Sequence, residues 1–291
     1  MGLFFSSDRF TRPGPGVRPD APRKKGVARL AEIMGRDMWN FFRAGFLAFL
    51  GCLPFIIGMF FAVETHALLF MLLAGIIGGL IAGPELSAMA DTVLRSLRDE
   101  PGYWWETYRR VWKRNARESL VPGMLTGLVL SMQIFTLFHM SVISAGIVTW
   151  VLLILSFVIT LGLESYIWPQ IALLDLPLYG ILKNSLLLFL GYLPRSLGAI
   201  AIKAVYWGAI LLFFPLTTII LPFTNFWLPM LPALLCIYQP LNKCFTIEST
   251  INKMREDELN AALAKDNEPL PEAPTEKAEE STEASSDDSS S

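Results

Sequence analysis

The sequence predicts an all-α fold, a polytopic bundle of six transmembrane helices built as three repeated helical hairpins with interfacial amphipathic helices. Three observations lead there. Of the 291 residues, 53% are hydrophobic and 17% charged, and the mean hydropathy is +0.46, whereas an average soluble domain is about 25% charged. The 24 Lys and Arg residues fall in four clusters, so that 44–94, 118–182 and 204–242 hold no basic residue. Each cation-free block is long enough for a pair of helices, given that about 20 apolar residues cross a bilayer. Such blocks exclude an ordinary soluble enzyme, a disordered chain and a nucleic-acid-binding domain.

Residues 1–25 read as a basic arm in which Arg12-Pro13-Gly14-Pro15-Gly16 cannot be helical, because each proline lacks a donor and restricts its predecessor. The first apolar run begins near Phe41, too late for the apolar core of a cleavable signal peptide. Gly2-Leu3-Phe4-Phe5-Ser6 matches the myristoylation pattern only weakly. From Gly26 to Arg43 the apolar residues Val27, Leu30, Met34, Met38 and Phe41 recur every three or four positions, as expected of an amphipathic helix lying in the membrane interface.

Six spans are expected near 42–63, 67–88, 119–139, 143–163, 204–222 and 226–242. Short turns join them at Glu64-Thr65-His66, around His139–Ser141 and at Phe223-Thr224-Asn225. Every basic cluster falls on the side away from those turns. An excess of Lys and Arg in short loops marks the cytoplasmic face, so both termini are expected in the cytoplasm. The second and fourth helical patterns run on to about Arg98 and Asp175, long enough to tilt or project beyond the hydrocarbon. Each carries an inner proline, Pro84 and Pro169, and the sixth span carries Pro240; such prolines kink a helix and leave a carbonyl in need of another partner. With amphipathic segments at 26–43, 103–118 and 178–198, a parallel repeat emerges over about 26–98, 103–175 and 178–255.

The transmembrane domain is thus expected over 26–255 and an acidic cytoplasmic tail over 256–291. Residues 248–291 carry 13 acidic and four basic side chains, net −9, so the total of −2 conceals a basic body of about +7. From about Asp266 the tail is rich in Glu, Pro, Ala, Thr and Ser and is expected to be disordered.

Four groups of residues are candidates for function. Gly75, Gly79 and Gly83, with Gly123 and Gly127, have the four-residue spacing that lets helix backbones touch, favouring contact inside the bundle over contact between subunits. Trp104, Trp105, Tyr108, Arg109, Arg110, Trp112, Lys113 and Arg114 interleave rings and cations, which suits the headgroup level of an anionic membrane face or a docking partner; nucleic acid is not an expected partner. Acidic residues within spans are costly and invite a functional reading. Glu85, Asp91, Glu164 and Asp175 are therefore candidates to line a polar cavity that takes a proton, a cation or a polar solute. Ion pairing with Arg95, Arg98, Arg195 or Lys203 is the structural alternative. Glu64, His66 and His139 are too few to suggest a metal site. Cys52, Cys236 and Cys244 have no CxxC spacing and read as small apolar fillers. No GxxxxGK(S/T), HExxH or GxSxG motif is present; neither an enzymatic activity nor a cofactor is expected.

Beyond these patterns the chain resembles the YesL-like family of bacterial integral membrane proteins. The likeness starts with Asp8-Arg9-Phe10-Thr11-Arg12-Pro13-Gly14-Pro15-Gly16-Val17, Pro22 and Lys24-Lys25-Gly26. It continues through Cys52-Leu53-Pro54, Gly83-Pro84, Ala88-Met89, Leu94-Arg95, Glu100-Pro101, Trp104-Trp105 and Trp112-Lys113-Arg114-Asn115. In the second half Asp175-Leu176, Lys183-Asn184-Ser185 and Pro240-Leu241-Asn242-Lys243 are similar. It covers about residues 8–245 and leaves the acidic tail outside. The family is a domain of unknown function, often encoded beside carbohydrate-uptake systems. The resemblance implies a bacterial plasma-membrane protein that assists carbohydrate transport, with a transporter subunit as a partner, and it assigns no catalytic residue. A structural or regulatory membrane factor, binding cytoplasmic partners or anionic lipid without transport, is the alternative expectation.

Overall fold

The computed structural model describes residues 23–100, 102–140 and 146–266. The arm and the myristoylation match as far as residue 22, the turn at 141–145 and the tail beyond 266 lie outside the described residues. The structure is about 89% helical, with no strand among the described residues. The chain divides into two units, Met1–Ile247 and Glu248–Ser291.

The first unit is a helical bundle. Its elements are α1 (Gly26–Thr65), α2 (Leu68–Arg98), α3 (Trp104–Phe138), α4 (Ile147–Leu173), α5 (Leu178–Gly191), α6 (Leu193–Leu212), α7 (Thr217–Thr224) and α8 (Trp227–Phe245). Five of these, α1, α2, α3, α4 and α6, are long and apolar enough to cross a membrane. The sixth expected span corresponds to α8. Its prolines and its Gln239, Asn242 and Lys243 end keep it short of that measure, while Met230, Leu231, Ala233, Leu234 and Ile237 are buried. A helix sheathed by protein has less need of an apolar surface than one facing lipid. The second unit, as described, is the helix α9, Ile247–Asp266 from its start in the first. Helical order runs on through Asp266 because Ala261-Ala262-Leu263-Ala264-Lys265 are all strong helix formers.

Two expected interfacial helices are not separate elements. Residues 26–43 continue without a break into the first span as the 40-residue α1, and 103–118 continue into the third as the 35-residue α3. The cause in α1 is visible at its start. Arg29 donates to the carbonyl of Leu97 (3.1 Å), Arg36 to that of Ser96 (2.8 Å) and Arg23 to that of Arg98 (3.2 Å). The last carbonyls of a helix lack intrahelical partners and carry partial negative charge, so these arginines tie the start of α1 to the end of α2 and hold it in line with its span. The third segment does stand alone, as α5. The fifth span is shifted: α6 starts at Leu193, with Pro194 in its first turn, and ends at Leu212 before a turn at 213–216. Pro215 has no N–H to offer a continuing helix. Pro84, Pro169 and Pro240 lie within helices, and so do Pro54 and Pro122.

Helix α2 is central, packed on α1, α3, α4 and α8. It runs antiparallel to α3 at backbone contact. A Cβ placed on Gly127 would lie 2.5 Å from the Gly75 oxygen and 2.8 Å from the Gly79 Cα; one on Gly75 would lie 2.8 Å from the Leu128 Cα. A Cβ on Gly79 or Gly83 would strike the carbonyl oxygen of Gly123 or Ser119. The opposite flank of α2 meets α1 as closely, for a Cβ on Gly78 would lie 2.6 Å from the Phe55 Cα. Here Ala74–Gly78 form a π-helical turn. All five candidate glycines therefore pack within the bundle.

Gly79→Ala is expected to lower the thermal midpoint of the detergent-purified protein, since overpacking a close-packed contact costs about 1–3 kcal/mol. Gly208→Ala in α6, where a new methyl meets open space, should leave the midpoint unchanged or raise it, since alanine is the better helix former.

Candidate functional site

The register set by the glycines fixes what faces what along α2 and α3. At the end away from the basic residues, His66 Nδ1 lies 2.7 Å from His139 Nε2, and His139 Nδ1 lies 2.7 Å from the Phe135 carbonyl oxygen. A carbonyl only accepts, so His139 carries a hydrogen on Nδ1. The two histidines come together as a hydrogen-bonded pair. Among the described residues no group of three or more His, Cys, Asp or Glu is placed to hold a metal ion.

Towards the basic end, Asn115 donates to the Ser87 hydroxyl at 3.0 Å, both fully buried. Two residues before Ser87, Glu85 emerges from α2 directly after Pro84. Its Oε2 accepts from the Tyr108 hydroxyl at 2.5 Å and its Oε1 from the Trp112 indole N–H at 2.9 Å. Space for this side chain comes from Gly51 of α1, where a Cβ would lie 2.6 Å from Glu85 Cγ.

The four acidic candidates do not share one cavity. Asp91 is buried and paired with Arg95 at 2.7 Å. Glu164 of α4 lies 3.9 Å from Lys203 of α6 and accepts from the Trp168 indole at 3.2 Å. Asp175, exposed, lines a separate cavity of about 310 Å³ with Arg117 and Glu118. Two acidic residues thus take the ion pairs that the spacing allowed, and Glu85 is held by neutral donors alone. Cys52 on α1 is buried within electrostatic reach of both Glu85 and Glu164. Cys236 and Cys244 are also free thiols.

The aromatic and basic segment splits into two faces. Trp105, Arg109, Arg110 and Lys113 are exposed, as expected for contact with a membrane face or partner. Tyr108 and Trp112 instead turn inward to Glu85. Trp104 packs against Tyr108 with ring centroids 5.3 Å apart and lies under the Arg43 guanidinium, 5.7 Å from its centroid. Arg114 donates to the Ala172 carbonyl at 2.9 Å, joining α3 to α4. For Tyr108, Trp112 and Trp104 the expected surface role is corrected to an internal one, whereas Arg114 stays exposed. The position of α3's first turns against α1 and α2, invisible in a single helix, decides it.

Between α1, α2 and α3 at the basic end opens a cavity of about 300 Å³, at the lower bound of ligand-sized pockets, about 300–1,000 Å³. Asn40, Thr92, Ser96, Thr107, Trp104 and Tyr108 are among its walls. The ionic residues beside them are already paired: Arg36 with Asp37 and Asp99, and Arg95 with Glu100 at 3.3 Å. Asp99, in the left-handed conformation that ends α2 (φ 59°), also takes Arg29 at 2.7 Å and Arg23 at 3.2 Å. Burial opposes charge on the Asp99 carboxyl, but the hydrogen bonds from Arg36 and Arg29 outweigh it and hold that carboxyl below the usual carboxylate range. Neither this cavity nor the three-arginine cluster was foreseen from sequence; Asp99 follows a helix end, which was its only signal.

Two outcomes follow from these charges. Lys203→Met is expected to destabilise the protein more alone than in combination with Glu164→Gln, and a double-mutant cycle should give a coupling of at least about 0.5 kcal/mol. A carboxylate with a lowered folded value contributes stability above its unfolded value, about 3.9, and loses that contribution as pH falls through the folded value. Asp99→Asn should therefore lower the thermal midpoint at pH 7, and its gap from the wild type should close on acidification below about pH 4.

No family model, curated protein or solved structure matches the chain.

Proposed function

We propose that the chain is a non-enzymatic, YesL-like multi-pass protein of the bacterial plasma membrane, with both termini in the cytoplasm, that assists carbohydrate uptake. The observation that carries the reading is the cavity between α1, α2 and α3. Its polar groups outside the ion pairs are neutral, from Asn40, Thr107 and the hydroxyls of Thr92 and Ser96, which donate to the Ala88 and Thr92 carbonyls and keep their lone pairs for a ligand. Two aromatic rings, Trp104 and Tyr108, stand beside them. Few placed polar groups and a ring wall are what an uncharged polyhydroxyl solute, or a polar loop of a transporter subunit, can use. The basic bias supports a cytoplasmic position for this cavity, where an imported solute would arrive.

The alternative is a structural or regulatory factor without transport, and the exposed face of α3 favours it. Tyr103 and Trp105 are 86% and 58% exposed and Arg109, Arg110 and Lys113 share their side. Rings at headgroup level beside cations fit an anionic membrane surface or a cytoplasmic partner.

One measurement separates the two. In cells lacking the chain, uptake of radiolabelled mono- and oligosaccharides is expected to fall severalfold for one class, to return with the wild-type chain, and to stay low with Thr92→Leu, which fills the cavity, at equal protein level. Unchanged uptake of every saccharide in cells lacking the chain would overturn the transport role in favour of the alternative.

A further inference from the structure

We propose that Glu85 is a proton-binding site coupled through the Tyr108 hydroxyl to the cavity between α1, α2 and α3. The proton state of Glu85 then decides whether that hydroxyl donates to the carboxylate or to a ligand in the cavity.

The hydrogen-bond inventory around Glu85 is asymmetric. Trp112 Nε1 can only donate, so Glu85 Oε1 accepts from it (2.9 Å) in either protonation state. The Tyr108 oxygen can both donate and accept, so the hydrogen between it and Glu85 Oε2 (2.5 Å) can belong to either side. Among the described residues Glu85 has no ion pair. This distinguishes it from Asp91, which has Arg95, and from Glu164, which has Lys203. A half-buried carboxylate in a span with no cation has one other route to neutrality, which is to take up a proton.

The surroundings leave that route open. The groups acting on Glu85 are Tyr108 and Trp112 of α3. From α1 the titratable neighbour is Cys52, on which Glu164 of α4 also acts, itself paired with Lys203 of α6. On α2 the next charges, Asp91 and Arg95, are paired with each other and begin six residues, about 9 Å, further along the axis. No charged group of α8 acts on Glu85 among the described residues. Tyr108, buried itself, is also part of the cavity wall.

The transfer balances without a cofactor. A hydronium ion reaching the cavity from solution gives a proton to the Tyr108 oxygen as the phenolic hydrogen passes to Glu85 Oε2, and is left as water. Tyr108 ends unchanged, Glu85 is neutral and one proton has left solution. The new Glu85 O–H donates to the Tyr108 oxygen, and the phenolic hydrogen turns away from Glu85 towards the cavity. The inference uses the cavity and not the carbohydrate role, so a titrating Glu85 stands even where saccharide uptake is unaffected by the chain.

The test is pH-difference infrared spectroscopy of the full chain in lipid nanodiscs. One component of the protonated-carboxyl C=O band that grows on acidification is expected to be lost in Glu85→Gln, to persist in Glu164→Gln and to shift in Glu85→Asp, which keeps a carboxyl if the amide fails to fold. After a rapid pH drop that component should rise at least tenfold more slowly in Tyr108→Phe. A band in which neither Glu85 variant alters any component would overturn the proton site. An unchanged rise in Tyr108→Phe would overturn its coupling to the cavity.

Discussion

The backbone contact between α2 and α3 is the constraint from which the rest of this bundle is positioned. Lipid chains are as apolar as leucine, so burial of apolar surface does little to hold two helices together in a bilayer, and close packing must do it. Gly75, Gly79 and Gly83 meet Gly123 and Gly127 over about 12 Å of helix, near enough that a methyl group on Gly79 would strike a carbonyl oxygen. Such a contact admits one register. That register pairs His66 with His139 at one end and Ser87 with Asn115 towards the other, and it points Tyr108 and Trp112 at Glu85 rather than at lipid. The π-helical turn at Ala74–Gly78 lies where α2 is pressed from both sides, by α3 and by Phe55 of α1.

Within this frame the polar groups of the helices are neutralised in three ways. Glu164 and Lys203 join α4 to α6, and Asp91 and Arg95 pair along one helix. Gln133, by contrast, donates to Ser156 and Thr160, tying α3 to α4 without charge. Glu85 sits between neutral donors, with no ion pair among the described residues. An ion pair made within the bundle holds its geometry at the cost of desolvating both charges, whereas a carboxylate among neutral donors keeps a choice of protonation state. That difference, more than depth in the bundle, marks Glu85 as the residue with chemistry available to it.

The parts of this architecture legible in the sequence are those set by one helix at a time. Cation-free blocks located the apolar helices, and glycines four residues apart announced close approach because the absence of Cβ is a property of the residue itself. Pairing of Asp91 and Glu164 was among the alternatives because Arg95 is one turn from Asp91 and Lys203 is one of few cations at that depth. What depends on two distant segments was not legible. The amphipathic pattern of 26–43 reads equally as an interfacial helix or as the end of a long span. The decision rests on Arg29 and Arg36 reaching Asp99 and the carbonyls before it, some 60–70 residues away. The interleaved rings of 103–114 likewise fit a membrane surface, until the partner of Tyr108 and Trp112 is known. The break between α6 and α7 had a signal in Pro215, outweighed by the apolar run around it.

The arginine cluster at Asp99 and the glycine seam act together on the basic end. The seam sets the distance between α2 and α3, and the arginines set the direction of α1 across the end of α2. The cavity is the space these three helices cannot fill once both are satisfied, because α1 is held upright by its terminus while α2 and α3 are locked to each other. Asp99 is suited to this by its backbone as well as its charge. In the left-handed conformation the Asp99 and Glu100 N–H groups fold back onto the Ser96 and Arg95 carbonyls, and three guanidinium groups reach the carboxylate and the Ser96, Leu97 and Arg98 carbonyls at once. With its ions engaged there, the cavity keeps neutral groups at its wall, and Tyr108 both lines that cavity and donates to Glu85, the carboxylate of α2 that has no ion pair among the described residues.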